Sequence, residues 1–431
     1  MKKQFIILFF LMASISYCQQ DPAPKQTKVV TIVGATAHIG NGEVIENSLL
    51  IFEDGIITII TDASTTKIPY RGTIINAKGR HIYPGFIAPN TTLGLAEIDA
   101  VRATKDFDEI GAMNPHIRSI IAYNTESKVT ETMRPNGVLI GQITPRGGSI
   151  SGTSSVVQFD AWNWEDALIK QDIGIHLNWP NSYRRGRWWL DEPKGYKPND
   201  KYTSNIETIL NYMNEAKAYG KLNSQIKNEA FIAMQGLFDG SKKLFVHSQG
   251  EKEMIDAITL LKEKGVKNIV LVGAYEAYKI IPFIKNNNIP ILLQRVHSIP
   301  KNQDDDYDFP YKLAKLLTNN GILVALQTAG QMERMNTRNL PFYAGQVVGQ
   351  GLEKEKALQL ITLNPAIILG IDANYGSLEK GKSATLFISE GDALDMRTNI
   401  LTHAFIDGRE ISLSTHQSEL YNKFSKKYNQ N

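Results

Sequence analysis

The chain has 431 residues, of which 42% are hydrophobic and 21% charged, and its formal net charge is +3. This composition supplies enough apolar residues for one large core, or for a barrel with a smaller domain. So small a net charge does not predict binding to nucleic acid or to a membrane surface. Outside the N-terminus, no apolar run reaches the roughly 20 residues that a membrane-spanning helix needs.

The N-terminus has the pattern of a secretory signal peptide over residues 1–19. Two lysines precede the apolar stretch Phe5–Ala13, and small residues follow it. Cleavage after Cys18, the sole cysteine, would leave a mature chain without a disulfide. Alternatively, Cys18 carries a lipid anchor, although the bulky Tyr17 precedes it where a small residue is required. Both alternatives predict an exported protein, either periplasmic or secreted.

Residues 20–81 are predicted to form the N-terminal part of a small β-sandwich, after a polar linker at its start. Val29–Ala37 is rich in β-branched residues. The dipeptides Asn41-Gly42 and Asp54-Gly55 are typical of tight hairpin turns. Short antiparallel strands are therefore expected throughout this segment.

Residues 82–374 alternate short apolar runs with amphipathic stretches. Leu244–His247 precedes the helical pattern of Glu251–Lys264, and Asn268–Val272 precedes that of Ala274–Lys285. Strands that alternate with helices predict a parallel sheet. Several such units, bracketed by β-rich ends, favour a (β/α)8 TIM-type barrel of about 290 residues.

The C-terminal region returns to short strands with glycine turns. Gly376–Ile388 and Thr402–Gly408 have this pattern, so residues 375–413 are predicted to complete the sandwich begun by residues 20–81. Residues 414–431 form a polar, basic tail with a helical pattern. The fold expected is thus an α/β barrel with a β-sandwich built from both chain ends.

Two motifs bracket the barrel and resemble those of the amidohydrolase superfamily, particularly its imidazolonepropionase-like members. The first is Pro84-Gly-Phe-Ile87, at the entry to the first barrel strand. The second is Leu363-Asn-Pro-Ala-Ile-Ile-Leu-Gly370, followed by the glycine-rich stretch Tyr375–Leu386. The resemblance covers essentially the whole mature chain. It implies the barrel fold and the hydrolysis of carbon–nitrogen bonds in non-peptide or cyclic amides.

The same resemblance implies a degenerate metal site. Family members end the first barrel strand with two metal-binding histidines, and those positions are Asn90 and Thr92 in this chain. A neutral amide and a hydroxyl are poor zinc ligands. His247 matches the histidine of the fifth strand, whereas Leu271–Ala274 and Ala329 replace the ligands of the sixth and eighth strands. No metal cofactor is therefore expected, and a single divalent ion at His247 is the remaining alternative.

The candidate site residues follow from these positions at the carboxyl ends of the strands. The candidates for catalysis are His247, Arg295 and His297, and those for ligand binding are Asn90, Thr92, His176, Gln327 and Thr328. Arg295 and His297 alternate at a period of two, so both should face one side of an extended segment. All except His176, which is expected at the barrel mouth, should converge on one polar cavity. Its only permanent cation would be Arg295, which suits a carboxylate or peptide-like group.

Two hypotheses of different class remain open at this point. The first is an exported hydrolase of carbon–nitrogen bonds. The second is a catalytically inactive pseudoenzyme that binds a small-molecule or peptide-like ligand, as a homo-oligomer or in complex with an active relative. Each candidate also has a structural interpretation, such as a hydrogen-bonded pocket histidine at His247. The basic aromatic segment Arg184–Trp189 adds a lid or a partner surface as a further option.

Overall fold

The computed structural model describes residues 21–186, 192, 195–221 and 227–428. The predicted signal peptide over residues 1–19, with Cys18, lies outside the described residues, and so does the Arg187–Trp189 part of the basic aromatic segment. No helix within the described ranges combines the length and the apolar character needed to cross a lipid bilayer.

The strands are numbered in chain order. They are β1 Val30–His38, β2 Val44–Glu53, β3 Ile56–Asp62, β4 Thr73–Asn76, β5 His81–Pro84, β6 Phe86–Thr91, β7 Val138–Ile143, β8 Ile150–Gln158, β9 Leu168–Asn178, β10 Tyr183–Arg185, β11 Tyr196–Pro198, β12 Lys243–Ser248, β13 Ile269–Gly273, β14 Ile291–Leu293, β15 Val324–Leu326, β16 Leu386–Ser389, β17 Leu401–Ile406 and β18 Arg409–Glu410.

The helices are numbered in the same way. They are α1 Trp164–Ala167, α2 Tyr202–Tyr219, α3 Glu229–Asp239, α4 Glu251–Glu263, α5 Ile281–Asn286, α6 Phe309–Asn319, α7 Glu333–Asn336, α8 Leu340–Gly349, α9 Lys354–Gln359, α10 Leu363–Leu369 and α11 His416–Lys427. Short 3₁₀ helices cover Arg102–Thr104, Ser119–Ala122, Thr130–Asn136, Tyr275–Ile280 and Thr337–Asn339.

Eight strands form the nearly closed sheet of a TIM-type barrel, in the order β6-β7-β8-β9-β12-β13-β14-β15. β8 runs antiparallel to both of its neighbours, so the expectation of a wholly parallel sheet is wrong at this strand. The reason lies in the short connection between β7 and β8. Gly147 and Gly148 adopt positive φ angles there, and the chain reverses directly instead of crossing back through a helix.

Helix α4 illustrates how the amphipathic segments cover the barrel. Its buried residues Met254, Ala257, Ile258 and Leu261 recur at helical spacing, while most of its charged residues face outward. Each large aliphatic side chain buried in this way contributes about 1.5–3 kcal/mol to stability. The apolar periodicity of the sequence thus determines which face of the helix packs on the sheet.

The second sheet joins the two ends of the chain, in the order β18-β17-β16-β5-β1-β2-β3. Its central contact is the antiparallel pairing of β16 with β5, in which Leu386 lies opposite Pro84. A separate apolar cluster fills this domain and includes Ile32, Phe52 and Phe405. The β-sandwich therefore draws strands from both chain ends. Strand β5 spans the predicted boundary between residues 81 and 82, and the boundaries themselves stay predictions.

A buried polar contact joins the sandwich to the barrel. His38 on β1 lies 2.8 Å from Glu355 of α9, measured from Nδ1 to Oε1. Its Nε2 lies 3.0 Å from Nδ1 of His81, and its ring stacks on Tyr83 with the centroids 4.3 Å apart. Both the imidazole of His38 and the carboxylate of Glu355 are almost fully buried. The two domains are thus linked by hydrogen bonds as well as by apolar packing.

We predict that this junction makes the protein sensitive to acid. Burial lowers the pKa of His81, and the nearby His38 and Lys354 charges lower that pKa further. The unfolded chain takes up a proton on His81 near about pH 6.5, whereas the folded protein takes it up only at lower pH. The free energy of unfolding should therefore decrease as the pH falls below that value. Between about pH 7.5 and about pH 5, the free energy of unfolding measured in urea titrations should decrease less for His81→Gln than for the wild type.

His116→Gln is the matched control, because His116 is exposed. Its pH dependence should match that of the wild type. A His81→Gln variant as acid-sensitive as the wild type would contradict the prediction.

Candidate active site

A polar cavity of about 310 Å³ lies at the carboxyl ends of the barrel strands. Asn90 from β6, His247 from β12, Arg295 after β14 and Gln327 after β15 all line it. These four candidates are far apart in the sequence. Their strands bring them together because the carboxyl ends of parallel strands meet at one face of a barrel.

Asn90 lies where strand β6 bulges. The pairing with β7 shifts between Ala88 and Thr91, and Asn90 itself has a φ of 53°, a left-handed conformation that asparagine tolerates better than most residues. Its Nδ2 donates to Oε1 of Gln327 over 2.8 Å. Its backbone N–H donates to Oε1 of Gln142 over 2.9 Å. The buried amide is thus held rigidly by its neighbours.

Arg146 connects this strand end to the segment after β15. Its Nη1 donates to Oδ1 of Asn90 and its Nη2 to the Asn90 carbonyl, both over 2.8 Å. Nη2 also lies 3.1 Å from Oε2 of Glu333. The other oxygen of Glu333 accepts hydrogen bonds from the backbone N–H and the hydroxyl of Thr92. We call Asn90, Thr92, Arg146 and Glu333 the Arg146 cluster, which places a guanidinium against the end of the first barrel strand.

Two histidines lie beside this cluster. Nδ1 of His176 and Nε2 of His247 are 2.9 Å apart, and Nε2 of His176 lies 2.8 Å from the hydroxyl of Ser154. Burial lowers the pKa of His247 to about 3, and the positive charge of Arg146 adds to this effect. Burial, then the charges of His247 and Arg146, also hold the pKa of His176 well below its ordinary value. Both imidazoles are therefore neutral at physiological pH.

The outer part of the cavity carries two cations. Nη1 of Arg295 donates to the Gln331 carbonyl, and Nζ of Lys301 donates to Oε1 of Gln249, each over 2.8 Å. Neither forms an ion pair with a carboxylate among the described residues. The second cation, Lys301, was not predicted, and burial lowers its pKa to about 8, so Arg295 is the only permanently charged side chain of this lining.

The remaining candidates lie elsewhere. Thr92 lines a neighbouring cavity of about 540 Å³. Thr328 is buried, and its hydroxyl lies 2.8 Å from that of Thr337. His176 is fully buried beneath His247 and does not lie at the barrel mouth. His297 lines a separate cavity of about 610 Å³. The expected convergence on one cavity is therefore wrong for Thr92, His297 and Thr328.

The position of His297 has a simple cause. Strand β14 ends at Leu293, and the backbone then bends so that the Ser298 N–H donates to the Val296 carbonyl. The alternation of side chains applies only to extended backbone. Arg295 and His297 consequently diverge.

Four further polar residues of the site were not predicted from the sequence. They are Gln142, Arg146, Ser154 and Glu333, and all take part in the hydrogen bonds just described. Arg146 gave the one usable signal, because a charged residue soon after a buried barrel strand falls at the face where such sites lie. Glu333 could not be assigned in this way, since its partner Thr92 is 241 residues away in the sequence.

Residues 192–411, just over half of the chain, match the family model of the amidohydrolase family. This chain belongs to the amidohydrolase family. It is 37% identical over 82 residues to the imidazolonepropionase of Syntrophobacter fumaroxidans, a match covering 19% of each chain. It is 28% identical over 109 residues to that of Flavobacterium psychrophilum, covering 24% of this chain and 26% of that one. The chain thus spans only about a fifth to a quarter of these curated relatives.

Solved structures show the same fold at low identity. An amidohydrolase from Thermotoga maritima MSB8 superposes with a TM-score of 0.75 at 20% identity, over 89% of this chain and 99% of that one. A zinc-bound adenosine deaminase from Xanthomonas campestris gives a TM-score of 0.52 at 12% identity, over 95% of this chain and 99% of that one. Likeness at this level establishes the barrel architecture and leaves the chemistry to the residues of the site.

The residues at the positions that the motif resemblance assigns to metal ligands have other partners in the structure. The Asn90 amide oxygen accepts from Arg146, the Thr92 hydroxyl contacts Glu333, and Nε2 of His247 faces His176. Ala329 offers no donor atom in its side chain. Within the described ranges, no group of three or more His, Cys, Asp or Glu side chains could hold a metal ion.

We predict that Arg146 and Glu333 depend on each other for stability. Arg146→Met should lower the free energy of unfolding by about 3 kcal/mol, because it leaves the buried Glu333 carboxylate without its cation. Adding Glu333→Gln should recover part of that loss, since the unpaired charge is then removed. Urea unfolding of the two single variants and the double variant measures the coupling.

The exposed pair Arg102–Asp108 supplies the control. Arg102→Met should cost less than about 1 kcal/mol. Strictly additive effects of the Arg146 and Glu333 substitutions would contradict the prediction.

Proposed function

We propose that this chain is an exported, metal-independent binding protein of the amidohydrolase family. Its ligand is a small carboxylate-bearing or peptide-like molecule, held in the cavity of about 310 Å³. The observation that carries this proposal is the Arg146 cluster. A guanidinium donates to both oxygens of Asn90, a residue that the family resemblance aligns with a metal ligand.

The electrostatics of the cluster support metal independence. A divalent cation at the first-strand end would have to displace the Arg146 guanidinium from Asn90 or stay beside it. Repulsion between a divalent ion and a guanidinium a few ångströms apart costs several kcal/mol, even at the high effective dielectric of a protein surface. Glu333 offsets part of that repulsion, but its carboxylate is already engaged by Arg146 and Thr92.

The outer cavity supports a carboxylate ligand. Arg295 and Lys301 both line it, and neither forms a direct ion pair with a carboxylate among the described residues. A guanidinium binds a carboxylate in a two-pronged geometry, and an ammonium adds a flexible point charge. The neutral His247 and the amides of Asn90 and Gln327 supply uncharged hydrogen-bonding groups deeper inside.

Hydrolysis of carbon–nitrogen bonds in non-peptide or cyclic amides is the second candidate function, favoured by the similarity to imidazolonepropionases. His247 lines the cavity as a neutral imidazole and could accept a proton from water. A general base works best with a pKa near the working pH, however, and that of His247 is lowered to about 3. This mismatch places binding ahead of catalysis. Turnover of a cyclic amide that is abolished in His247→Gln would reverse the order.

The metal content of the purified protein tests the proposal. We expect well under one equivalent of zinc, iron or manganese by elemental analysis after dialysis against a chelator, because few ligands are free. The combined variant Asn90→His, Thr92→His, Ala329→Asp should gain metal, and should gain more when Arg146→Ser is added. Two equivalents that survive the chelator in the wild type would overturn metal independence.

Ligand binding tests the second half of the proposal. N-acetyl-alanine should bind in calorimetric titrations, and its C-terminal amide should bind more weakly, because the amide lacks the charge. Arg295→Met should weaken binding of the acid about tenfold, the loss expected for one charge-assisted hydrogen bond, with little change in melting temperature. Arg397→Met, at an exposed arginine paired with Asp395, should bind normally. Equal affinity of Arg295→Met and the wild type would contradict the assignment.

A further inference from the structure

The small cavity adjoins a much larger groove of about 1500 Å³. Both spaces are lined by Gln249, Ser298, Ile299 and Lys301, so they are direct neighbours. Pockets for small ligands usually measure about 300–1,000 Å³. The combined space therefore exceeds what one amino acid would fill, and an extended ligand could occupy both parts.

One wall of the groove is the two-stranded sheet of β10 and β11. All three residues of β10, Tyr183, Arg184 and Arg185, line the groove, whereas Tyr196 alone does so from β11. Successive side chains of a strand point to opposite faces. Tyr183, Arg185 and the cross-strand partner Tyr196 therefore share one face, and Arg184 borders the groove from the same strand. β10 is thus the strand nearer the groove, and among the described residues no strand pairs with its outer edge.

The register of the hairpin shows which backbone groups this edge presents. Asn199 donates to the carbonyl of Ser182, and Gly186 donates to that of Gly195. Bonded pairs alternate with non-bonded pairs in an antiparallel ladder, so between these two it is Arg184 that bonds to β11. The N–H and C=O groups of Tyr183 and Arg185 consequently point away from β11. They can pair with the main chain of a third strand.

The charges along the groove favour one direction for such a strand. Three of its four lining carboxylates are engaged: Glu253 accepts from Ser182, Asp256 pairs with Lys252, and Glu276 pairs with Lys279. The fourth, Glu251, and the guanidinium of Arg185 lie along the walls. Two cations, Arg295 and Lys301, lie where the groove adjoins the small cavity, and together they favour an anionic terminus at that end.

We propose that the groove binds a short extended peptide, which adds to the edge of β10 as a third strand and places its C-terminal carboxylate between Lys301 and Arg295. The exposed rings of Tyr183 and Tyr196 form apolar walls for the side chains of the peptide. This inference rests on the proposed carboxylate-binding function of the small cavity and extends it to a ligand class.

Peptides of different length test the inference by calorimetric titration of the full mature chain. Acetyl-tetraalanine should bind at least about tenfold more tightly than acetyl-alanine, because a few net hydrogen bonds of about 0.5–1.5 kcal/mol are added. Its C-terminal amide should bind more weakly than the acid. N-methylation of one internal amide should weaken binding at alternate positions only, since alternate N–H groups face β10.

A pair of variants at one position tests the strand edge itself. Arg185→Pro removes an N–H group that β11 does not use, and edge strands tolerate proline in that orientation. This variant should bind acetyl-tetraalanine about tenfold more weakly than the wild type, which is the loss expected from one or two hydrogen bonds. Its affinity for acetyl-alanine should be unchanged. Arg185→Ala keeps the N–H group and should therefore bind the longer peptide several-fold more tightly than Arg185→Pro. The N-methylated peptides give the same information without altering the protein.

The outcomes separate this inference from the proposed function. Equal affinity for the two peptides, with Arg295-dependent binding of acetyl-alanine, would overturn the peptide groove and leave the carboxylate site intact. Octanedioate is a diacid without amides. If it gained as much affinity over acetyl-alanine as acetyl-tetraalanine does, the groove would bind carboxylates in general, and the peptide assignment would be overturned. Failure of both peptides to bind at millimolar concentration would overturn both proposals.

Discussion

The site depends on one constraint, which is the pairing of the half-buried Arg146 guanidinium with the buried Glu333 carboxylate among the ends of the first, second and eighth barrel strands. A buried charge is tolerated only when it is paired and hydrogen-bonded. Glu333 supplies the opposite charge, and Asn90 supplies two oxygen acceptors. Thr92 then satisfies the carboxylate from its other side. These side chains form one network in which each depends on the others.

This network also determines the state of the neighbouring histidines. The positive charge of Arg146 adds to burial in keeping His176 and His247 neutral. Arg146 is balanced by Glu333, so it contributes little net charge to the cavity. The unbalanced positive charge lies further out, on Arg295 and Lys301. The site is therefore neutral and polar at its base and cationic at its mouth, which is the arrangement expected for holding an anionic end group.

The packing of the barrel does not depend on the polar groups of the site, because it uses other residues. Gly85 lies where β5 passes into β6, and a Cβ atom there would come within 2.9 Å of the Thr385 methyl and 3.0 Å of Leu139. A side chain at residue 85 would therefore force Thr385 or Leu139 to shift where the sandwich approaches the barrel. Proline, glycine and the apolar strands preserve the fold, while the strand ends are free to carry different chemistry.

The sequence by itself determined the family, the barrel, the sandwich built from both chain ends, and the positions of Asn90, His247, Arg295 and Gln327 near one another. Apolar periodicity and two motifs were enough, because they act within a few residues of the chain. The tertiary structure alone decided the reversal of β8, the separation of His297 from Arg295 and the partners of Arg146. Those features depend on where a strand ends and on contacts between segments up to 241 residues apart, as between Thr92 and Glu333, which no local pattern encodes.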